Sequence, residues 1–427
     1  MTHGPLDGYR IVDATTMLSG PWATMILADQ GADVIKVEPP GRGDHVRHLG
    51  NRRGGMSAMF LNINRNKRSV AIDLKTAGGV ALLKRIAATA DVFVQNFRPG
   101  VVERLAIAEG DIRKAAPEII YVSISGFGEK GPWASKPAYD PIIQALSGLT
   151  TVQAGSDKER PRLIRTVLAD KLSAMIAAQA ITAALVARER TGKGQHIRVS
   201  MLDAMLYFLW ASDMSAQTYP DFRPESAPAA SFIDLIYETK DGHMTVAVMS
   251  DKEWAGLTRA LERPEWLNDT RFATPVARDK NVDERLMMTQ EVLRTRSTAE
   301  WMERLEAEDV PCAPVLTRDA AIRHPQVAAS QGIVEVEHPT AGRLRQARAA
   351  ARFDRTPTAI RFGAPRLGEH TSEVLAEAGL TEAEISDLRL EGVIGAEAPA
   401  PSETAGADAV AGPQVAPGSD RTEEEHP

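Results

Sequence analysis

Residues 8–38 read GYRIVDATTMLSGPWATMILADQGADVIKVE, and this stretch decides the fold class. The apolar run at 8–14 is short and ends in a polar loop, the form of a buried strand. Gly20 and Pro21 then open a helical run, WATMILADQGA, with proline in the first turn, where its missing N–H breaks no intrahelical bond. A second strand follows at 33–38 (DVIKVE). A strand, a crossover helix and a strand in succession make a parallel unit, and the same alternation continues outward from it. It gives a strand at 69–74 (SVAIDL), a helix at 77–90, a strand at 91–96 (DVFVQN), a short helix after Pro99 and a strand at 119–125 (IIYVSIS). A long alanine-rich helix over about 170–190 ends at Thr191-Gly192, before a strand at 195–200 (QHIRVS) and a helix from Met201. The expected fold class is α/β, with a Rossmann-like, mostly parallel sheet covered on both faces.

Past residue 212 the pattern changes. Residues 213–230 are rich in Pro, Ser and Asp and are expected to be a linker. Residues 231–330, with a strand pair around Lys240-Asp241-Gly242 and Trp- and Glu-rich helices, are expected to form a smaller α+β domain. Residues 331–394 lead through a basic stretch back to a closing helix at 382–390, so the large domain is expected to join 1–212 with this return segment. The composition of 395–427 cannot build a core, and a disordered acidic tail is expected there.

Composition excludes several classes of function. With 43% hydrophobic and 25% charged residues the chain has an ordinary globular balance. Cys312 is the single cysteine, which excludes an intrachain disulfide and a cysteine-type zinc site and fits a reducing, cytoplasmic setting. The first residues lack an apolar signal core, and the most apolar stretch, around Met175 to Val186, is interrupted by Gln179 and closed by Arg188. Neither a membrane nor a nucleic acid is expected as a partner. The tail holds seven acids against one base and so accounts for nearly all of the formal charge of −7. Within the remainder, Arg42, Arg47, Arg52, Arg53, Arg65, Lys67 and Arg68 form a basic cluster whose only acid is Asp44, and such a cluster calls for an anion.

Three motifs lose to plainer readings. Gly126-Phe-Gly-Glu-Lys-Gly131 matches the dinucleotide fingerprint after a strand, but Pro132, Trp133 and Pro137 follow where a helix is required, so it reads as a tight loop lining a site. His45 and His48 lack the carboxylates or third ligand of a metal site. No G-x-S-x-G is present, and Cys312 in VPCAPV reads as structural. Asp170 is harder to set aside. It heads the alanine-rich helix, where backbone N–H groups and the helix dipole meet a carboxylate, and on position alone a plain helix cap is favoured over a nucleophile.

Seven ordered blocks reverse that balance. They are DGYRIVDAT with SGPWATMILADQGADVIKVEPPGRGD, LNINRNKRSVAIDLK (61–75), VQNFRPGVVERL (94–105), SGFGEKGPW, KPAYDPIIQALSGL (136–149), ARERTGKGQHIRVSMLDAML and APRLGEHTSEVL. Over about residues 5–394 the chain resembles the family III CoA-transferases, the CaiB/BaiF group of formyl-CoA and carnitine CoA-transferases, to which methylacyl-CoA racemases are related. The resemblance implies that Asp170 attacks an acyl-CoA thioester, that coenzyme A passes to a carboxylic acid through mixed anhydrides and an aspartyl-CoA thioester, and that no cofactor is permanently bound. It implies CoA contacts at Ile72, Asp73, Leu74, Lys75, Asn96, Phe97, Arg98, Arg104 and Tyr139, and variable positions near Thr16, Leu18 and Ser19. Pro39 stands where some transferases have an adenine-side arginine, and Arg42 or Arg47 is expected to compensate. Backbone N–H groups at the Asp170 helix start and in the Gly126–Gly131 loop are the expected oxyanion donors.

The family's glycine-rich loop falls between residues 216 and 231, where this sequence has no glycine, which speaks against formate as acceptor. The racemases need a histidine where this chain has Tyr139 in Ala138-Tyr139-Asp140, and a tyrosine with a pKa near ~10 is a poor partner in a proton relay. Transferase is therefore favoured over racemase, and over a catalytically idle CoA-binding protein because Asp170 is retained. An interlocked homodimer is the implied assembly.

Overall fold

A computed structural model describes residues 4–221 and 235–395. The acidic tail from residue 396, the second half of the 213–230 linker (222–230) and most of the stretch matching the glycine-rich loop lie outside the described residues. Two compact units form. One takes the described parts of Met1–Thr150, Leu163–Ala211 and Val334–Pro427, the other those of Thr151–Arg162 and Ser212–Ile333.

The first unit is built on six strands: β1 (Arg10–Ala14), β2 (Asp33–Glu38), β3 (Lys67–Ala71), β4 (Val92–Gln95), β5 (Ile120–Ser125) and β6 (His196–Ser200). They lie in the order β3-β2-β1-β4-β5-β6, and every neighbouring pair is parallel. The helices that matter for the site are α1 (Ser19–Asp29), α2 (Ala77–Ala87), α3 (Asp140–Leu146), α4 (Leu168–Thr191) and α5 (Met201–Trp210). Successive strand residues point to opposite faces, and both faces are apolar. Ile11, Val34, Val94 and Val122 enter one core, while Val12, Ile35, Phe93 and Tyr121 enter the other.

The first face is covered by α1 and α4. On α4, Ala174, Ala177, Ala178, Ile181, Ala184 and Leu185 are buried at three- and four-residue spacing, and the alanines let the helix lie close to the strands. This helix is long and apolar enough to cross a bilayer by composition, but its buried stripe packs on the sheet. The second face is covered by Leu82, Leu83 and Ile86 of α2 with Val374, Leu375, Ile385 and Ile394 of the returning C-terminal segment. β3 ends at Ala71, short of the expected residue 74, because its partner β2 ends at Glu38 opposite Ala71, and Ile72 instead bridges Ile394.

Charged side chains are buried in the sheet as well. Asp13, Lys36 and Lys67 are all fully buried. Lys67 Nζ donates to Asp13 (2.8 Å), to the Pro21 carbonyl (2.7 Å) and to Asn64 Oδ1 (2.8 Å), which uses all three of its protons. Asp13 also accepts from the Thr24 hydroxyl at 2.8 Å and from the Thr15 hydroxyl. Burial alone would raise the Asp13 carboxyl, but Lys67 and Lys36 beside it hold it well below the usual carboxylate range. Lys36 pairs with buried Asp44 at 3.0 Å. Glu38 takes a bidentate pair from Arg47 (2.8 and 2.7 Å) and a hydrogen bond from the Ser69 hydroxyl (2.8 Å).

The second unit carries a three-stranded antiparallel sheet of Ile236–Glu238, His243–Val246 and Cys312–Pro314. Its core gathers Trp254, Trp266, Phe272 and Trp301. Ser250 with Glu253 and Ser297 with Glu300 form capping boxes that start two of its helices.

Removing one partner of a buried ion pair leaves the other charge uncompensated. Lys67→Met is expected to lower unfolding stability by about 3–5 kcal/mol, read from the urea midpoint at unchanged m-value.

Candidate active site

The sheet order reverses between β1 and β4, so the loops leaving these two strands diverge and open a crevice at the C-terminal edge. A cavity of about 460 Å³ lies there, lined by Thr16 to Ser19 after β1, Asn96 to Pro99 after β4, Ser125 and Gly126 at the end of β5, and Met201 after β6.

The wall formed by the loop after β1 is held from below. Lys36 Nζ donates to the Thr15 carbonyl at 3.0 Å, and Asp44 Oδ1 accepts the Met17 N–H at 3.2 Å. Met17 has φ of 69°, a left-handed conformation that a side chain rarely adopts, and these contacts sustain it. Asn96 clasps the same loop, its Oδ1 accepting from Thr16 N–H (2.9 Å) and its Nδ2 donating to the Thr16 carbonyl (2.8 Å). Gly20 sits where a Cβ would fall 2.3 Å from the Thr15 side chain, so only glycine lets α1 begin this close to the loop. A Cβ on Gly126 would meet the Ala138 Cβ at 2.1 Å, and that close approach brings the Tyr139-Asp140 segment to the cavity.

Asp170 lines the cavity from the first turn of α4. It is not the cap that its sequence position suggested. The helix begins two residues earlier, Val167 is the capping position, and no side chain there supplies a cap bond. The acceptor comes from another helix. Asp140, 3% exposed, takes the Asp170 N–H on Oδ2 at 3.1 Å, while its Oδ1 accepts from Gln144 Nε2 at 2.6 Å. Gln144 in turn grips the segment leading into α4, accepting the Ile164 N–H at 3.0 Å and donating to the Thr166 carbonyl at 3.0 Å. Burial pushes the Asp170 carboxyl up to about 6, the charge on Asp140 adds to the rise, and a hydrogen bond from the Ser19 side chain opposes it. Such a group is still mostly ionised at pH 7 and is more basic than an ordinary aspartate.

Of the residues expected to bind CoA, Asn96, Phe97, Arg98 and Tyr139 share the cavity with Asp170, as do Thr16, Leu18 and Ser19. Ile72, Asp73, Leu74, Lys75 and Arg104 do not line it. Ile72 is fully buried in the core, and the Asp73 N–H is donated to the Val393 carbonyl, whereas Lys75 and Arg104 are exposed. Arg47 cannot compensate for Pro39 as expected. It is buried, its guanidinium is spent on Glu38 and the Pro365 carbonyl, and it lies 3.7 Å over the Phe60 ring.

The basic cluster finds most of its anions inside the protein, through Arg47 with Glu38, Arg65 with Asp29, Lys67 with Asp13 and Arg68 with Asp33, all four acids preceding the cluster in the chain. The expected oxyanion donors are likewise partly engaged. Leu168 N–H goes to the Thr166 carbonyl, Asp170 N–H to Asp140, and Gly128 N–H to the Ser125 hydroxyl. Sequence reasoning missed Lys136, which lines the cavity with its Nζ 3.6 Å over the Trp133 ring, and it gave no role to Asp140 beside the expected CoA contact Tyr139.

A family model described as CoA-transferase family III matches residues 6–371. The chain belongs to CoA-transferase family III. Among relatives of this family, human succinyl-CoA:glutarate CoA-transferase is 34% identical over 379 residues, covering 87% of this chain and 86% of the relative. The acetyl-CoA:oxalate CoA-transferase of Acetobacter aceti is 36% identical over 339 residues, covering 78% of this chain and 86% of the relative. A crystal structure of a CaiB/BaiF family protein from Brucella suis superposes with a TM-score of 0.77 at 30% identity, covering 88% of this chain and all of that one. As a family III enzyme the protein is an acyl-CoA:carboxylate CoA-transferase, and acyl-CoA thioesters are its substrates.

The raised Asp170 carboxyl has a stability consequence. In the folded state the charge is disfavoured, so it costs stability above pH 6, and the cost fades as the pH falls through 6 toward the unfolded value near ~4. Asp170→Asn is expected to raise the unfolding free energy by about 2 kcal/mol at pH 8 and by much less at pH 4, measured by denaturant titration at both values.

Proposed function

We propose that Asp170 is the covalent nucleophile through which this transferase moves CoA from a donor acyl-CoA to an acceptor acid. The observation that carries the proposal is a basic, still-ionised carboxylate in a cavity at the switch point of the sheet, where no other carboxylate lines the wall among the described residues. The Asp170 oxygen attacks the thioester carbonyl, and the CoA thiolate leaves, giving a mixed anhydride. The thiolate returns to the Asp170 carbonyl of that anhydride, releasing the donor acid as its carboxylate and leaving an aspartyl-CoA thioester. The acceptor carboxylate then displaces the thiolate to make a second anhydride, and attack of the thiolate on the acceptor's carbonyl forms the new acyl-CoA and frees Asp170. One thioester is exchanged for another, so no nucleotide hydrolysis is required.

Asn96 serves by holding Thr16, and Arg98, Lys136 and Tyr139 stand at the cavity wall where the thioester end of CoA would lie. In the same proposal the exposed cations Lys75 and Arg104 meet the phosphate-bearing end of CoA outside the cavity. Hydroxylamine added during turnover is expected to trap an aspartyl hydroxamate at Asp170, found by peptide mass spectrometry. Asp170→Ala is expected to lose on the order of 10³-fold or more in kcat, and full activity in that variant would refute the assignment. Deuterium uptake at the α-carbon without transfer would point to the racemase instead.

We also propose a homodimer. On α5, Tyr207 is 80% exposed, Trp210 51% and Phe208 45%, and with Leu172 and Ile176 of α4 they line one open apolar depression. An apolar surface of this kind favours burial against a partner. Sedimentation equilibrium is expected to return twice the 46.2 kDa of one chain.

A further inference from the structure

We propose that Asp140 is a positioning residue for the transfer reaction: its buried carboxylate fixes the first turn of the helix carrying Asp170 and sets a second negative charge against it. The inference rests on Asp170 being the nucleophile. Both Asp140 oxygens accept from N–H donors, one from the Asp170 backbone at 3.1 Å and one from Gln144 at 2.6 Å, which is the pattern of an ionised carboxylate. Because Gln144 also holds Ile164 and Thr166, one buried pair on α3 ties down both the entry to α4 and its first turn. The tie is made without side-chain capping by α4's own residues.

Of the charged and titratable groups that line the cavity, Arg98 comes from the loop after β4, Lys136 and Tyr139 from the segment before α3, and Asp170 from α4. Lys171, next to Asp170, gives its ammonium to the Thr166 hydroxyl at 2.7 Å. Among the described residues the charge that acts on Asp170 is that of Asp140, and the neutral Ser19 hydroxyl acts in the opposite sense.

The second charge has a chemical use. Asp170 is an anion in the free enzyme and neutral in both the anhydride and the aspartyl-CoA thioester, since its charge departs each time with the thiolate or the released carboxylate. Repulsion from Asp140 is therefore present before acylation and absent after it, which favours loading of the enzyme and makes the attacking oxygen more basic.

The test is the pH profile of kcat/KM for the acyl-CoA, with hydroxamate trapping run on the same proteins. Wild type is expected to lose activity as the pH falls through about 6, the value of the Asp170 carboxyl. Asp140→Asn is expected to move that acid limb down by about one unit and to lower the fraction of enzyme trapped as hydroxamate at saturating acyl-CoA. Asp140→Ser, which keeps an accepting oxygen without the charge, is expected to do the same and stands in if the first variant does not fold. Gln144→Ala is expected to lower kcat while leaving the acid limb in place. An acid limb unmoved in a folded Asp140 variant overturns the proposal, even where Asp170 is still trapped. Failure to trap Asp170 in wild type overturns instead the assignment of the nucleophile.

Discussion

The structure depends on a set of charges buried beneath the loop after β1. Asp13, Lys67, Lys36, Asp44, Glu38 and Arg47 come from β1, β2, β3 and the turn after β2, and each has its partner within 3.0 Å. Ions so deeply buried are tolerable only when fully paired, because an unmatched charge in the interior costs several kcal/mol. The pairing is accordingly unforgiving, and it transmits position. Lys67 and Lys36 spend spare protons on the Pro21 and Thr15 carbonyls, and Asp44 holds the Met17 N–H. The loop that forms one wall of the cavity therefore has one place to lie.

From that fixed wall the rest of the site follows by short steps. Asn96 fastens the loop after β4 to Thr16, so the two sides of the crevice are tied together. Ser19, buried at the start of α1, reaches the Asp170 carboxylate from the β1 side, while Asp140 and Gln144 fix the opposite approach through α3. Asp170 is held between a hydroxyl that favours its charge and a carboxylate that opposes it. Burial first, and then these two neighbours, bring its carboxyl to about 6, and neither neighbour is adjacent to it in sequence.

Fold and site were legible to different depths. The alternation of apolar runs with helical stretches around residues 8–38 placed β1, α1 and β2 to within about three residues, because strand and helix periods are local properties of a chain. The ordered blocks singled out Asp170, Asn96, Phe97, Arg98 and Tyr139, which the fold brings to one cavity. Charge was read less well. The cluster from Arg42 to Arg68 looked like an anion site because its acids, Asp13, Asp29, Asp33 and Glu38, lie earlier in the chain, on β1, α1 and β2, and meet it only on folding. Arg47 was misread for that reason, and Asp140 was passed over because its importance rests on a hydrogen bond to a residue thirty positions away.

The sequence by itself determined the parallel α/β architecture and the identity of the candidate nucleophile, since hydrophobic period and motif order are written in consecutive residues. Only the tertiary structure decided that Asp170 is not a helix cap, that Asp140 supplies the cap in its stead, and that the basic segment neutralises itself. Ionisation and pairing depend on distances of about 3 Å between residues far apart in the chain, and folding alone sets those distances.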